Sequence, residues 1–295
     1  LKLSLLGAAA LALLAGTAQA QVKIGVLNDM SSLYADVTGK GSVIAAQMAV
    51  EDFGGKVLGK PIEIVSGDHQ NKPDVGASIA RQWIDTDHVT TIVDVPTSSV
   101  ALAVQALMRE KKHILLMSAP ASSDLAGKNC SPYGFMWTYD TYTLAHGTGS
   151  ALVKQGGKTW FFITSDYAFG HALERDTAAA VTAAGGKVLG GVDHPMNSQD
   201  CSSFLLQAQA SKAKVIGLAN AGGDTINSIK QAAEFGIVKG GQKLAGLLVF
   251  ASDVHSLGLQ TAQGLQLTEG FYWDFDDQTR AWSKKFFAKT NVMPT

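Results

Sequence analysis

From Val22 onward, short apolar runs alternate with stretches whose apolar positions recur every three or four residues. A bounded apolar run predicts a buried strand, and the 3.6-residue recurrence predicts an amphipathic helix. The predicted strands are VKIGVLN (22–28), PIEIVSG (61–67), TTIVDV (90–95) and HILLMSA (113–119). Between them lie helices over 38–53, 73–87 and 98–111. The first carries Val43, Ala46, Ala49 and Val50 on one face and ends at Gly54-Gly55. The second turns Ile79, Trp83 and Ile84 inward. Strands that alternate with helices predict a parallel sheet covered on both faces.

The rhythm breaks over residues 120–140, where Pro120, Gly127, Pro132 and Gly134 stand among polar residues before MWTYD. Connections this long without their own structure are often functional. Alternation then restarts. Helix 141–155 leads to strand 158–165, helix 168–184 to strand 187–193, helix 200–210 to strand 213–219, and helix 223–235 to strand 243–250. A last segment, LTEGFYWDF (267–275), precedes helix 277–290. The prediction is an α/β protein of two Rossmann-like lobes, with parallel sheets flanked by helices and joined at a hinge. One lobe comprises 22–140 plus 271–295 and the other 141–270. The chain crosses between them near 137–141 and again near 270–276.

Composition adds a compartment. LKLSLLGAAALALLAGTAQA (1–20) has one basic residue, Lys2, then an apolar run to Gly16, then the small–x–small pattern Ala18-Gln19-Ala20. That order reads as an export signal with Gln21 as the mature N-terminus. The run is about 14 residues, shorter than the roughly 20 of a membrane span. No Cys follows the cleavage site, so no lipid anchor is expected, and the mature chain is expected in the periplasm as a soluble protein. The start at Leu1 and the stop at Thr295 predict a piece of a longer chain. The 295 residues are 46% hydrophobic with a net charge of -1. Lys and Arg are scattered, which leaves no basic stripe for nucleic acid. Cys130 and Cys201 are expected as ordinary buried thiols, although an oxidising compartment permits a disulfide.

Catalytic and cofactor motifs are missing from the sequence. Gly39-Lys40-Gly41 lacks the third glycine of a dinucleotide fingerprint and lies too far beyond the strand. GTGSA (147–151) puts Ser150 inside a helix rather than at a nucleophile elbow. The seven histidines form no ligand pair, so no metal is expected. Asp276-Asp277 sit where acids complement a helix dipole. The reading is a non-enzyme without a cofactor.

In open α/β sheets, ligands bind beyond the carboxyl ends of the strands. Strand 90–95 is followed by Pro96-Thr97-Ser98-Ser99, and strand 113–119 by Pro120-Ala121-Ser122-Ser123. Hydroxyls beside a helix N-terminus suit a carboxylate, and the same serines also serve as plain helix caps. The second lobe offers Tyr167 and Phe169 after strand 158–165, Ala221 after 213–219, and Ser252-Asp253 after 243–250. Tyr167 and Phe169 could stack on a ligand or simply pack the strand end.

The segments VKIGVLNDMS, PTSSVALAVQALMREKKHILLMSAPASSDL, FFITSDYAFGHALE and NAGGDTINSIKQAAEFGI, in this order, resemble the periplasmic solute-binding proteins of ABC importers. The resemblance is to the family that includes the leucine/isoleucine/valine-binding protein. It implies a hinged, monomeric receptor that captures a small carboxylate-bearing solute, an apolar amino acid or an aromatic acid, for membrane permease subunits. It implies that turns at Ser98-Ser99 and Ala121-Ser122 hold the carboxylate and that Phe169, with Tyr167 nearby, closes over the ligand. The place of the family's ammonium-holding acid falls on Ser252, with Asp253 one residue late. SSDLAGKNCSP and WTYDTYTLA look closer to the aromatic-acid members. It also implies that both thiols stay free, since a Cys130–Cys201 bond would tether the hinge. A sensor built from the same lobes and an exported enzyme are the alternative readings.

Overall fold

The computed structural model describes residues 21–295; the expected export segment, 1–20, lies outside the described residues. The first lobe is built on β1 (Val22–Asn28), β2 (Lys56–Val57), β3 (Lys60–Asp68), β4 (Val89–Asp94), β5 (Ile114–Met117) and β6 (Gly134–Met136). They form one sheet in the order β2-β3-β1-β4-β5-β6. Every pairing is parallel except the β2–β3 hairpin. Helices α1 (Gly39–Phe53), α2 (Pro73–Asp85) and α3 (Ser98–Lys111) make the crossovers. Leu27, Ile92, Leu115 and Met108 are fully buried at the core of this lobe.

The second lobe opens with α4 (Thr141–Leu144), a π-helical turn (Ala145–Ser150) and α5 (Ala151–Lys154). Strands β7 (Thr159–Ser165), β8 (Lys187–His194), β9 (Val215–Ala219), β10 (Lys243–Gly246) and β11 (Gln266–Leu267) follow, with α6 (Ala168–Ala183), α7 (Ser202–Ala210), α8 (Gly223–Glu234) and α9 (Ala251–Leu257) between them. The sheet order is β11-β10-β9-β7-β8. All five residues of β9 are buried, as a central strand covered on both faces requires. Beyond β11 the chain returns to the first lobe as α10 (Asp277–Thr290). There Gly41 of α1 faces the Phe286 ring, and Lys289 Nζ reaches Glu51 at 3.0 Å.

Where the elements depart from the expected pattern, the cause is local. Strand 243–250 ends at Gly246, and Leu247–Phe250 are buried without ladder partners. An apolar run reports burial, not pairing. The segment 267–275 contributes only Leu267 to a strand, the short β11. The continuous helix over 141–155 contains the π-helical turn at AHGTGS. There a Cβ on Gly147 would lie 2.6 Å from Thr268 Oγ1. Such widened turns are frequent at functional sites. The β2–β3 hairpin turns on Leu58-Gly59, both at positive φ, as a two-residue loop of the twist-matched type requires. Both cysteines are free, but only Cys201 is buried, under α8 with the Ser228 hydroxyl 3.6 Å from its Sγ; Cys130, expected buried, is exposed because it lies in the polar connection over 120–140.

One buried histidine couples this fold to pH. His69, at the carboxyl end of β3, is fully buried, and its Nδ1 accepts the Asn71 N–H at 3.0 Å, which requires a neutral ring nitrogen. Burial pushes its pKa down to about 4. The unfolded chain binds this proton near pH 6.5, so the stabilisation is complete above pH 6.5 and is lost as pH falls from there toward 4. The amount is on the order of 3 kcal/mol over that window. His69→Asn should flatten the fall in Tm between pH 7 and pH 5; an unchanged slope would contradict this account.

Candidate functional site

The carboxyl ends of the two sheets face each other across a cavity of about 390 Å³. Val26, Val93 and Ala119 bring the ends of β1, β4 and β5 to one wall, while Tyr167, Phe169 and Ala221 form the other. The volume lies in the range of small-solute sites.

The loop after β1 places a lid residue. Asp29 is fully buried; its Oδ1 accepts Ser32 N (2.9 Å), and its Oδ2 accepts Tyr34 N and Asn71 Nδ2 (both 2.8 Å). These bonds hold Tyr34 over the cavity, where its hydroxyl pairs with that of Tyr167 across the cleft. Beside this contact Gly222, at φ 58, packs against Leu33 and Tyr34. The lobes are therefore closed on this side.

On the hinge side, Asp176 of α6 collects the chain that crosses between lobes. Its Oδ2 accepts Ser123 Oγ and Thr141 Oγ1, each at 2.6 Å. Arg175 reaches Asp124 Oδ1 at 3.1 Å, and Thr141 N donates to Ala121 O at 2.7 Å. A partly buried network of this kind fixes a geometry more than it adds stability.

The cavity's polar groups are hydroxyls and carboxyls. Thr38, Ser42, Ser118 and Thr138 line it, with Tyr34, Tyr139 and Tyr167. Burial pushes all three phenols above their ordinary range, so each keeps its proton at neutral pH. Asp94 and Glu269 are the lining carboxyls, and burial raises both above the usual carboxylate range. Glu269 Oε1 accepts Ala251 N at 3.1 Å. No Lys, Arg or His lines the cavity among the described residues.

Of the residues expected from sequence, Ala121, Tyr167, Phe169 and Ala221 line this cavity. Ser98, Ser99, Ser122, Ser252 and Asp253 do not. Ser98 and Ser122 are buried behind Ala121, with Ser122 N donating to Ser98 Oγ at 3.2 Å and Ser122 Oγ accepting Asp124 N at 3.3 Å. Ser99 is half-buried on the same first turn of α3. Ser252 Oγ is buried without a partner. Asp253 caps α9, its Oδ2 accepting Phe250 N at 3.0 Å. The acidic side chains that line the cavity are Asp94 and Glu269. Two signals could have marked these: a lone acid inside the apolar strand TTIVDV, and the acid of LTEGFYW at the second crossing. Away from the cavity, Asp166, His171 and Asp193 bring possible ligand atoms within 4.8 Å of one another on exposed surface, a clustering common among solvated side chains without any ion.

The model of a family described as periplasmic binding protein matches residues 21–295. A periplasmic binding protein from Burkholderia mallei is 55% identical, with a TM-score of 0.91 over 93% of this chain and 73% of that one. A branched chain amino acid ABC transporter periplasmic ligand-binding protein from Burkholderia xenovorans LB400 is 44% identical, with a TM-score of 0.80 over 93% and 74%. A solute binding protein of an ABC transporter from Rhodopseudomonas palustris HaA2, in complex with p-hydroxybenzoic acid, is 25% identical, with a TM-score of 0.83 over 92% and 74%.

Proposed function

We propose that this chain, which belongs to the periplasmic binding protein family, is the substrate-binding component of an ABC transporter that captures a small carboxylate-bearing solute between its lobes. The observation that carries the reading is the cavity of about 390 Å³ at the facing carboxyl ends of two parallel sheets, closed over by Tyr34 and Tyr167. Binding there is linked to closure. A solute that touches both walls stabilises the closed form over the open one, and the closed form is what a permease subunit would read. The return of α10 to α1 supports a division into 22–140 plus 271–295 and 141–270.

Within the cavity, Tyr167 and Phe169 cover the apolar part of the solute against Ala121 and Ala221. Ser98 and Ser122 act on the solute only indirectly, by holding the turns behind Ala121. The aromatic walls suit either a branched apolar amino acid or an aromatic acid, the two kinds named for the similar proteins. Among the described residues, no helix is long and apolar enough to cross a membrane, consistent with a receptor that diffuses between solute and permease.

The test is to identify by mass spectrometry any solute retained on the purified full-length protein, and to titrate the stripped protein calorimetrically with branched-chain amino acids and benzoic acids. Saturable binding at one site is expected for one of these classes. Failure of every member of both would end the reading.

A further inference from the structure

Asp94 is an acid built into the wrong kind of place. It is the one charged residue of its strand, is only 4% exposed, and lines the cavity. Its Oδ1 accepts the Ser118 hydroxyl at 2.9 Å, while its Oδ2 is buried without a well-formed hydrogen bond, although the Ser42 and Asn28 side chains stand beside the carboxyl. A buried acceptor left unpaired is costly and calls for an explanation. The backbone around it is also unusual. Asp94 has φ 81 and Val95 φ 56, two consecutive residues with side chains in the left-handed region, the second β-branched and therefore a true outlier. The strain is held by Val95, whose side chain is fully buried and whose N–H donates to Leu27 O at 2.9 Å. Strain of this sort persists where the surroundings over-determine it, and it clusters at ligand clamps.

We infer that Asp94 is a specificity-determining residue: its free carboxylate oxygen accepts a hydrogen bond from a donor on the solute, so the site selects molecules that carry a hydroxyl or ammonium group over the same skeleton without one. This rests on the reading of the cavity as a solute site. The geometry favours a donor over a second anion. Asp94 and Glu269 already supply acidic side chains to the cavity, and no cationic side chain lines it among the described residues. Ser42 and Ser118 flank Asp94 in the same wall, so a donor that reaches Oδ2 enters a polar corner while the rest of the molecule stays against the aromatic rings. A site that pairs a donor rejects the analogue lacking it because the acceptor is then left unsatisfied.

The experiment uses full-length protein and two matched pairs, 4-hydroxybenzoate with benzoate and leucine with 4-methylpentanoate, titrated into the parent and into Asp94→Gly. The pairs separate a phenolic donor from an ammonium. Glycine tolerates the positive φ, so the variant is expected to fold with no loss of Tm. In the pair that binds, the donor-bearing member should bind the parent at least about tenfold more tightly, and this ratio should fall to near unity in Asp94→Gly. Asp94→Asn, close in shape and tolerant of this backbone, should lower the ratio severalfold, because its amide offers only a neutral acceptor. A ratio near unity in the parent, or one unchanged in both variants, overturns this inference alone. Absence of binding by all four acids overturns the solute-site reading and this inference with it.

Discussion

Replacing Gly170 with alanine is expected to lower Tm by roughly 6–12 °C, the equivalent of about 3 kcal/mol in a chain of this size. Gly170 lies in the first turn of α6, next to Phe169 and hard against the end of β7. An added Cβ would sit 2.0 Å from Ser165 O and 2.9 Å from its carbonyl carbon. Both atoms belong to backbone, so no side chain can swing aside. Relief requires the helix to move off the strand. Overpacking a well-packed site ordinarily costs 1–3 kcal/mol, and a clash with backbone belongs at the upper end. The same shift would carry Tyr167 and Phe169 away from the cavity, so solute affinity should fall with Tm. Gly156→Ala is the control: its φ is 93, but nothing lies within 4 Å of the new atom, and it should show only the smaller cost of backbone strain. Scanning fluorimetry of the two variants decides the matter. A Gly170→Ala protein melting within about a degree of the parent would mean that α6 is not seated on β7 in this way.

The second large effect falls on binding. Tyr34 is 6% exposed and belongs to a buried cluster that includes Phe169, Ala221 and Phe250 from the opposite lobe. This burial exists because the lobes are closed, so truncation removes energy from the closed form and little from the open one. Central aromatic anchors of an interface typically carry 2–4 kcal/mol. Tyr34→Ala should therefore weaken apparent solute affinity by about 30- to 1,000-fold while leaving the Tm of the solute-free protein much closer to the parent's. Tyr34→Phe keeps the ring and loses only the pairing with the Tyr167 hydroxyl, a loss of about 1 kcal/mol or some fivefold in affinity. If calorimetry gives Tyr34→Ala the affinity of the parent, closure does not run through this contact.

The two positions differ in how far they could be read beforehand. The strand–helix alternation is written in the spacing of apolar residues, because each strand must be buried on both faces and each helix on one. β1, α3 and α6 consequently lie within a residue or two of their predicted bounds. The same logic misjudged Leu247–Phe250, where apolar residues are buried without belonging to a ladder. The site was legible only in part. Tyr167, Phe169, Ala121 and Ala221 follow strand ends, and a parallel sheet leaves those ends facing a ligand. Ser98, Ser122 and Asp253 follow strand ends too, lie outside the cavity lining and accept backbone N–H groups. A polar residue at a helix start reads alike whether it caps or binds.

Tyr34, Tyr139, Asp94 and Glu269 come from four separate segments, and no spacing along the chain brings them together. The sequence by itself determined the class of fold, an α/β chain with mostly parallel sheets flanked by helices, since this follows from local periodicity and from the handed geometry of parallel crossovers. Only the tertiary structure decided which hydroxyls and carboxyls meet in the cavity, that Tyr34 closes on Tyr167, and that one oxygen of Asp94 is left without a well-formed hydrogen bond. Those facts depend on distances between lobes, which are set by the packing of residues far apart in the chain.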